Sequence, residues 1–126
     1  MRILLIEPDV VLARTYQAAF ERMGWAVDWA PSAQAAIDCA DAATPDMVIL
    51  ELQLVSHSGI EFMYEFRSYP EWSDIPVLVH SLVPLQSVAG YDILCKQLGV
   101  REYYYKPSTR IVQLVAGIRE HVGVAQ

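Results

Sequence analysis

The stretch Arg2-Ile3-Leu4-Leu5-Ile6-Glu7-Pro8-Asp9 decides how the rest of the chain is read. A short run that is nearly all apolar suits a strand covered on both faces, as in a parallel sheet. The turn to acid at Glu7 comes too soon for a signal peptide. Beyond Pro8, Asp9 is placed to cap a helix whose apolar residues Leu12, Tyr16, Phe20 and Met23 step by three or four, and Gly24 is its natural stop.

The same alternation continues downstream. Trp25-Ala26-Val27-Asp28-Trp29 reads as a second strand, followed by an Ala-rich helix with Ala33, Ala36, Ile37 and Ala40 on one face. Met47-Val48-Ile49-Leu50 is a third strand, and the helix after Ser58-Gly59 is expected to bury Ile60, Met63, Tyr64 and Arg67. Ile75 to Val79 is a fourth strand. Pro84 to Leu98 is read as one helix with a stripe of Val88, Tyr91, Leu94 and Leu98. Glu102 to Tyr105 is a fifth strand, and Pro107 to Val122 a last helix with Ile111, Leu114, Val115 and Ile118 inward. Five strands alternating with five helices predict an α/β fold with right-handed crossovers and an open parallel sheet. In such sheets polar chemistry collects past the carboxyl ends of the strands. The residues there are Glu7, Pro8 and Asp9, then Glu51 and Gln53, then His80 and Ser81, then Lys106-Pro107.

Composition narrows the function classes. The 126 residues suit one domain over 1–126, with no Ser/Pro/Gly-rich linker and no internal repeat. At 54% hydrophobic and 19% charged residues the chain is not intrinsically disordered. A formal net charge of -6 argues against nucleic acid as a direct partner, and no apolar run approaches the ~18–20 residues of a membrane helix. Cys39 and Cys95 form no CxxC pair, which fits a reducing, cytoplasmic setting. His57 and His80 lack the spacing of metal ligands, and both cysteines read as small apolar groups.

The stretches ILLIEPD, PDMVILELQL through Ser58-Gly59, IPVLVHS and LGVREYYYKP resemble, in order and spacing, the receiver domain of bacterial response regulators, the chemotaxis-receiver (CheY-like) family. The resemblance covers essentially the whole chain. It implies a flavodoxin-like, three-layer (βα)5 fold with a five-stranded parallel sheet in the order 2-1-3-4-5, and a non-enzymatic module in phosphorelay signalling. In that family an acidic pair after the first strand holds magnesium. An Asp after the third strand takes a phosphoryl group from a histidine kinase, and a hydroxyl residue and a lysine contact the phosphoryl oxygens. Carried over by position, Glu7 is the first acid and Pro8 stands where the second would be. Glu51 stands at the phosphoacceptor position, and Gln53 supplies the backbone carbonyl of the metal shell. Ser81 is the hydroxyl, Lys106 the lysine, and Tyr103 the aromatic that moves with activation. The resemblance also implies a cis Lys106–Pro107 bond.

Two departures fall on the chemistry. Pro8 has no side-chain oxygen, and magnesium is usually held by one or two carboxylates in near-ideal octahedral geometry at ~2.0–2.1 Å. Glu51 is longer than Asp by a methylene, and a misplacement of about 1 Å can cost ~100-fold in rate. The expectation is therefore a degenerate receiver: no cofactor, magnesium at most weakly held by Glu7 and the Gln53 backbone, and Glu51 paired with Lys106 to fix the site in one state. Partners are expected to be proteins (a histidine kinase, an output or a scaffold protein) or a second copy of the chain. The resemblance implies that they would bind through the fourth helix, fifth strand and fifth helix, where Tyr91, Tyr103 and Arg119 lie. The rival readings are a regulator still phosphorylated at this site, and a flavodoxin-like cofactor binder or phosphohydrolase. Against the latter, no Gly-rich loop follows the first strand, and Glu51-Leu52-Gln53 replaces a DxD nucleophile.

Overall fold

The structure is a computed structural model describing residues 1–125, with side chains described through Val122. Strands β1 (Arg2–Ile6), β2 (Ala26–Ala30), β3 (Met47–Leu50), β4 (Val77–Ser81) and β5 (Val100–Tyr105) form one parallel sheet in the order β2-β1-β3-β4-β5. Helices α1 (Val10–Arg22), α2 (Ala33–Ala42), α3 (Gly59–Ser68), α4 (Tyr91–Lys96) and α5 (Ile111–Ala125) follow the strands in turn. Strand alternation sorts the core into two layers. Ile3, Leu5, Met47, Ile49 and Leu78 face α1 and α5, meeting Tyr16, Phe20, Leu114 and Ile118. Leu4, Ile6, Val48, Leu50, Val77 and Val79 face the other way, onto Ala36, Ile37, Phe62, Phe66, Leu94 and Leu98 of α2, α3, α4 and the turn after it. The alternation of strands and helices is the one the sequence predicts, and the three-layer fold with this strand order is the one the resemblance implies.

Local chemistry sets the joints that carry the site. Asp9 caps α1 as expected, accepting from the N–H groups of Val11 at 2.9 Å and Leu12 at 3.1 Å. Gly24, with φ of +84°, ends the turn after α1. Tyr103 and Tyr104 point to opposite faces, Tyr103 packing with the α2–α4 layer and Tyr104 with the α1–α5 layer.

Several expectations need correction. The segment read as one helix from Pro84 to Leu98 is a 3-10 turn at Leu85–Ser87 followed by the short α4. Pro84 and Val88 are extended, and Gly90 sits at φ +77°, a left-handed conformation that a continuous helix does not contain. On α3 the buried face carries Phe62, Met63 and Phe66, while Tyr64 is exposed. The two phenylalanines stack in series with Trp72, which lies buried in a 3-10 turn at Pro70–Trp72. Half-buried Arg67 donates instead to the carbonyls of Leu98 and Trp72, each at 2.7 Å, and so ties the end of α3 to the turn after α4. Strand β2 begins one residue later than expected, at Ala26, and β5 two residues earlier, at Val100. The last helix begins at Ile111, because Pro107 belongs to a 3-10 turn over Lys106–Ser108. The Lys106–Pro107 bond is trans rather than the cis bond the resemblance implies, and Pro107 lies within the turn, which the Thr109 N–H closes onto the Lys106 carbonyl at 3.2 Å. Cys39 and Cys95 are half-buried rather than core.

Candidate functional site

Because β1, β3 and β4 are adjacent and parallel, their carboxyl ends bring Glu7, Glu51 and Ser81 to one edge of the sheet, and the turn after β5 adds Lys106. These groups are buried: Glu7 and Glu51 are each 2% exposed and Ser81 0%. Buried charges persist only when paired and hydrogen-bonded. Here they are both.

The Lys106 Nζ lies 2.5 Å from Glu7 Oε1 and 2.8 Å from Glu51 Oε1. Glu51 Oε1 also accepts from the Leu82 N–H at 3.0 Å. Its Oε2 accepts from the Gln53 N–H at 3.0 Å and, through a short bond, from the Ser81 hydroxyl. Glu7 Oε2 takes the Asp9 N–H at 3.0 Å, and the Glu7 carbonyl takes the Trp29 indole N–H at 2.8 Å. Around the rim, Val83 N–H donates to Ser81 Oγ at 3.0 Å, and the Tyr103 hydroxyl donates to the Val83 carbonyl. The Tyr103 ring meets that of Tyr91 edge-on at 5.7 Å.

The charges respond to this setting. Burial raises the Glu51 carboxyl, but the hydrogen bonds from Lys106, Ser81, Gln53 and Leu82 outweigh it and bring its pKa below the usual value. Burial lowers Lys106, and its bonds to Glu51 and Glu7 outweigh that, so its pKa is raised. His80, 3% exposed and edge-on to Tyr16 at 4.9 Å, is pushed down to about 4 by burial and then by the Lys106 charge. It is a neutral packing group.

The fit of a magnesium ion can be judged from these donors. Pro8 offers no side-chain oxygen, and one Asp9 oxygen is engaged in capping α1. All four carboxylate oxygens of Glu7 and Glu51 accept hydrogen bonds or an ion pair from the chain itself. Among the described residues, no three His, Cys, Asp or Glu side chains converge on a point where a metal ion could be held. The residues present do not fit the ion.

The structure thus brings together Glu7, Glu51, Ser81 and Lys106. Gln53 takes part through its N–H. Tyr91 and Tyr103 are half-buried and in contact, so they form no free aromatic patch, while Arg119 is exposed on α5. His57 lies exposed outside the site and faces Glu61 at 3.1 Å. Sequence reasoning missed the backbone donors of Asp9, Leu82 and Val83, which carry no side-chain signal. It also missed the Trp29 indole. Register pairs Leu5 with Trp29, so the β2-β1 order would have placed that ring beside the end of β1.

Comparisons with known proteins agree with this architecture. The chain is 34% identical over 110 residues to the transcriptional regulatory protein QseB of Haemophilus influenzae, covering 81% of this chain and 48% of that protein. It is 31% identical over 105 residues to the KDP operon transcriptional regulatory protein KdpE of Escherichia coli, covering 83% and 44%. It therefore spans less than half the length of each. Among solved structures, the chemotaxis protein CheY4 of Vibrio cholerae superposes with a TM-score of 0.83 at 17% identity, covering 94% of this chain and 96% of that one. A CheY-like receiver domain protein of Methanospirillum hungatei superposes with a TM-score of 0.85 at 16% identity, covering 97% and 93%. The response regulator receiver domain profile matches residues 3–119, and the chain belongs to that family.

Proposed function

We propose that this receiver domain signals by protein–protein contact from a site that Glu51 holds in its engaged arrangement without phosphorylation. One observation carries the reading: the Glu51 carboxylate receives Lys106, Ser81 and the Leu82 and Gln53 N–H groups all at once. In a receiver that takes a phosphoryl group, the hydroxyl and lysine positions contact its oxygens. Here a fixed carboxylate on a side chain one methylene longer than aspartate satisfies both. Ser81 drawn to Glu51 and Tyr103 bonded to Val83 form one connected path from the site to the rim. The outward face of α4, β5 and α5, where Arg119 is exposed and the half-buried Tyr91–Tyr103 pair lies at the edge, is then the surface that a kinase, an output or scaffold protein, or a second copy would read.

Phosphotransfer is opposed by two features. The carboxylate that would attack a phosphoryl donor has every oxygen engaged and is tied to an ammonium. The magnesium fit also fails at Pro8 and at Glu7. Incubation with acetyl phosphate and millimolar magnesium, read by intact mass, tests the proposal. No mass gain is expected on the wild-type chain, and uptake of one phosphoryl group would overturn it in favour of a still-phosphorylated regulator.

A further inference from the structure

Lys106 does more than answer Glu51. Its side chain is 6% exposed, and its ammonium lies 2.5 Å from one Glu7 oxygen and 2.8 Å from one Glu51 oxygen. It therefore bridges the two acids contributed by the ends of β1 and β3. The second oxygen of each acid is taken by the chain as well, by the Asp9 N–H at 3.0 Å on Glu7 and by the Gln53 N–H at 3.0 Å on Glu51. A divalent cation contacting the same oxygens at ~2.0–2.1 Å would have to displace these bonds. It would also sit within a few ångströms of a positive charge in a poorly screened interior.

We propose that Lys106 is the resident cation of this site, an ammonium fixed by the chain between Glu7 and Glu51 where a dissociable divalent ion would otherwise balance the carboxylates. The inference rests on the reading of Glu51 as a fixed carboxylate and adds what neutralises it. Assembly of the site is then independent of divalent cations. Removing the ammonium leaves two buried carboxylates on adjacent strand ends with no counter-charge, which is the condition under which a divalent ion is drawn in.

The test compares the full wild-type chain with Lys106→Met by thermal unfolding, in a chelator and in millimolar magnesium. The wild-type midpoint is expected to be the same in both, and that of Lys106→Met to rise by about 5 °C at tenfold saturation. Manganese provides a local readout by NMR. It should broaden the Asp9 and Gln53 amide resonances of Lys106→Met and leave those of the wild type sharp. A wild type stabilised by magnesium, or broadened at these amides by low manganese, overturns the inference. So does a folded Lys106→Met that is indifferent to both ions. Should Lys106→Met fold in neither condition, the wild-type titrations decide alone. A wild type that takes up phosphate overturns the reading of Glu51, whereas one that binds magnesium without taking up phosphate overturns only the role of Lys106.

Discussion

At Glu51 the added methylene carries the carboxylate head out of the strand end and into reach of Lys106, Ser81 and the Leu82 N–H at the same time. Lys106 and Glu51 then differ in what their loss does. Lys106→Met strands two buried carboxylates and is expected to cost about 3–5 kcal/mol in urea unfolding at neutral pH. Glu51→Gln leaves Lys106 paired with Glu7 and should cost less, about 1–3 kcal/mol; the reverse order would contradict the bridging role of the lysine. His80 supplies a pH signature. Its folded pKa of about 4 lies below the ordinary histidine value, so the unfolded chain binds the proton more readily. The stabilisation is fully present above about pH 6.5 and is lost as pH falls toward 4, by up to roughly 3 kcal/mol. Stability measured between pH 7 and 4.5 should fall with this slope, and His80→Phe should flatten it. Glu51, with its pKa lowered, adds a further loss only below the usual carboxylate range. Lys106, with its pKa raised, adds one only above the usual lysine range.

Between elements, a close backbone approach lies where β3 hands over to α3. A Cβ on Gly59 would stand 2.7 Å from Leu52 Cα and 2.8 Å from the Glu51 carbonyl oxygen, both backbone atoms with little room to move. Gly59→Ala should therefore cost about 1–3 kcal/mol and shift the Glu51 amide resonance. An alanine variant as stable as the wild type would refute the close approach. At the other end of the site, Tyr103→Phe removes the donor to the Val83 carbonyl. Faster amide exchange in the Leu82–Val88 segment is expected, with the Glu51–Lys106 pair intact; unchanged exchange would show that the hydroxyl does not hold that segment.

For the whole molecule, the layering was legible because buried parallel strands leave apolar runs and the first three helices begin at the side-chain caps Asp9, Ser32 and Ser58, while the strand order came from the resemblance to receiver domains. The candidate site was legible because a parallel sheet brings the ends of β1, β3, β4 and β5 to one edge, and the resemblance to receiver domains singled out Glu7, Glu51, Ser81 and Lys106 among the polar residues there. Side-chain periodicity failed where backbone conformation decided the outcome. From Pro84 to Leu98 the apolar spacing reads as one long helix, yet an extended Pro84 and a left-handed Gly90 divide it. On α3, Ile60 and Tyr64 fit a helical stripe as well as Phe62 and Phe66 do, and the stack onto Trp72 made the choice. The reach of Lys106 to Glu7 was hidden as well, since spacing along the chain does not show which of two neighbouring carboxylates a lysine side chain meets.

Beryllium fluoride with magnesium mimics a bound phosphoryl group, so its NMR titration against the wild-type chain is the most direct test of a site already filled by its own carboxylate. The amides of Gln53, Ser81, Leu82 and Lys106 are expected to stay where they are throughout. Saturable shifts at those four positions would mean that the site is open to the mimic and that Glu51 does not hold it.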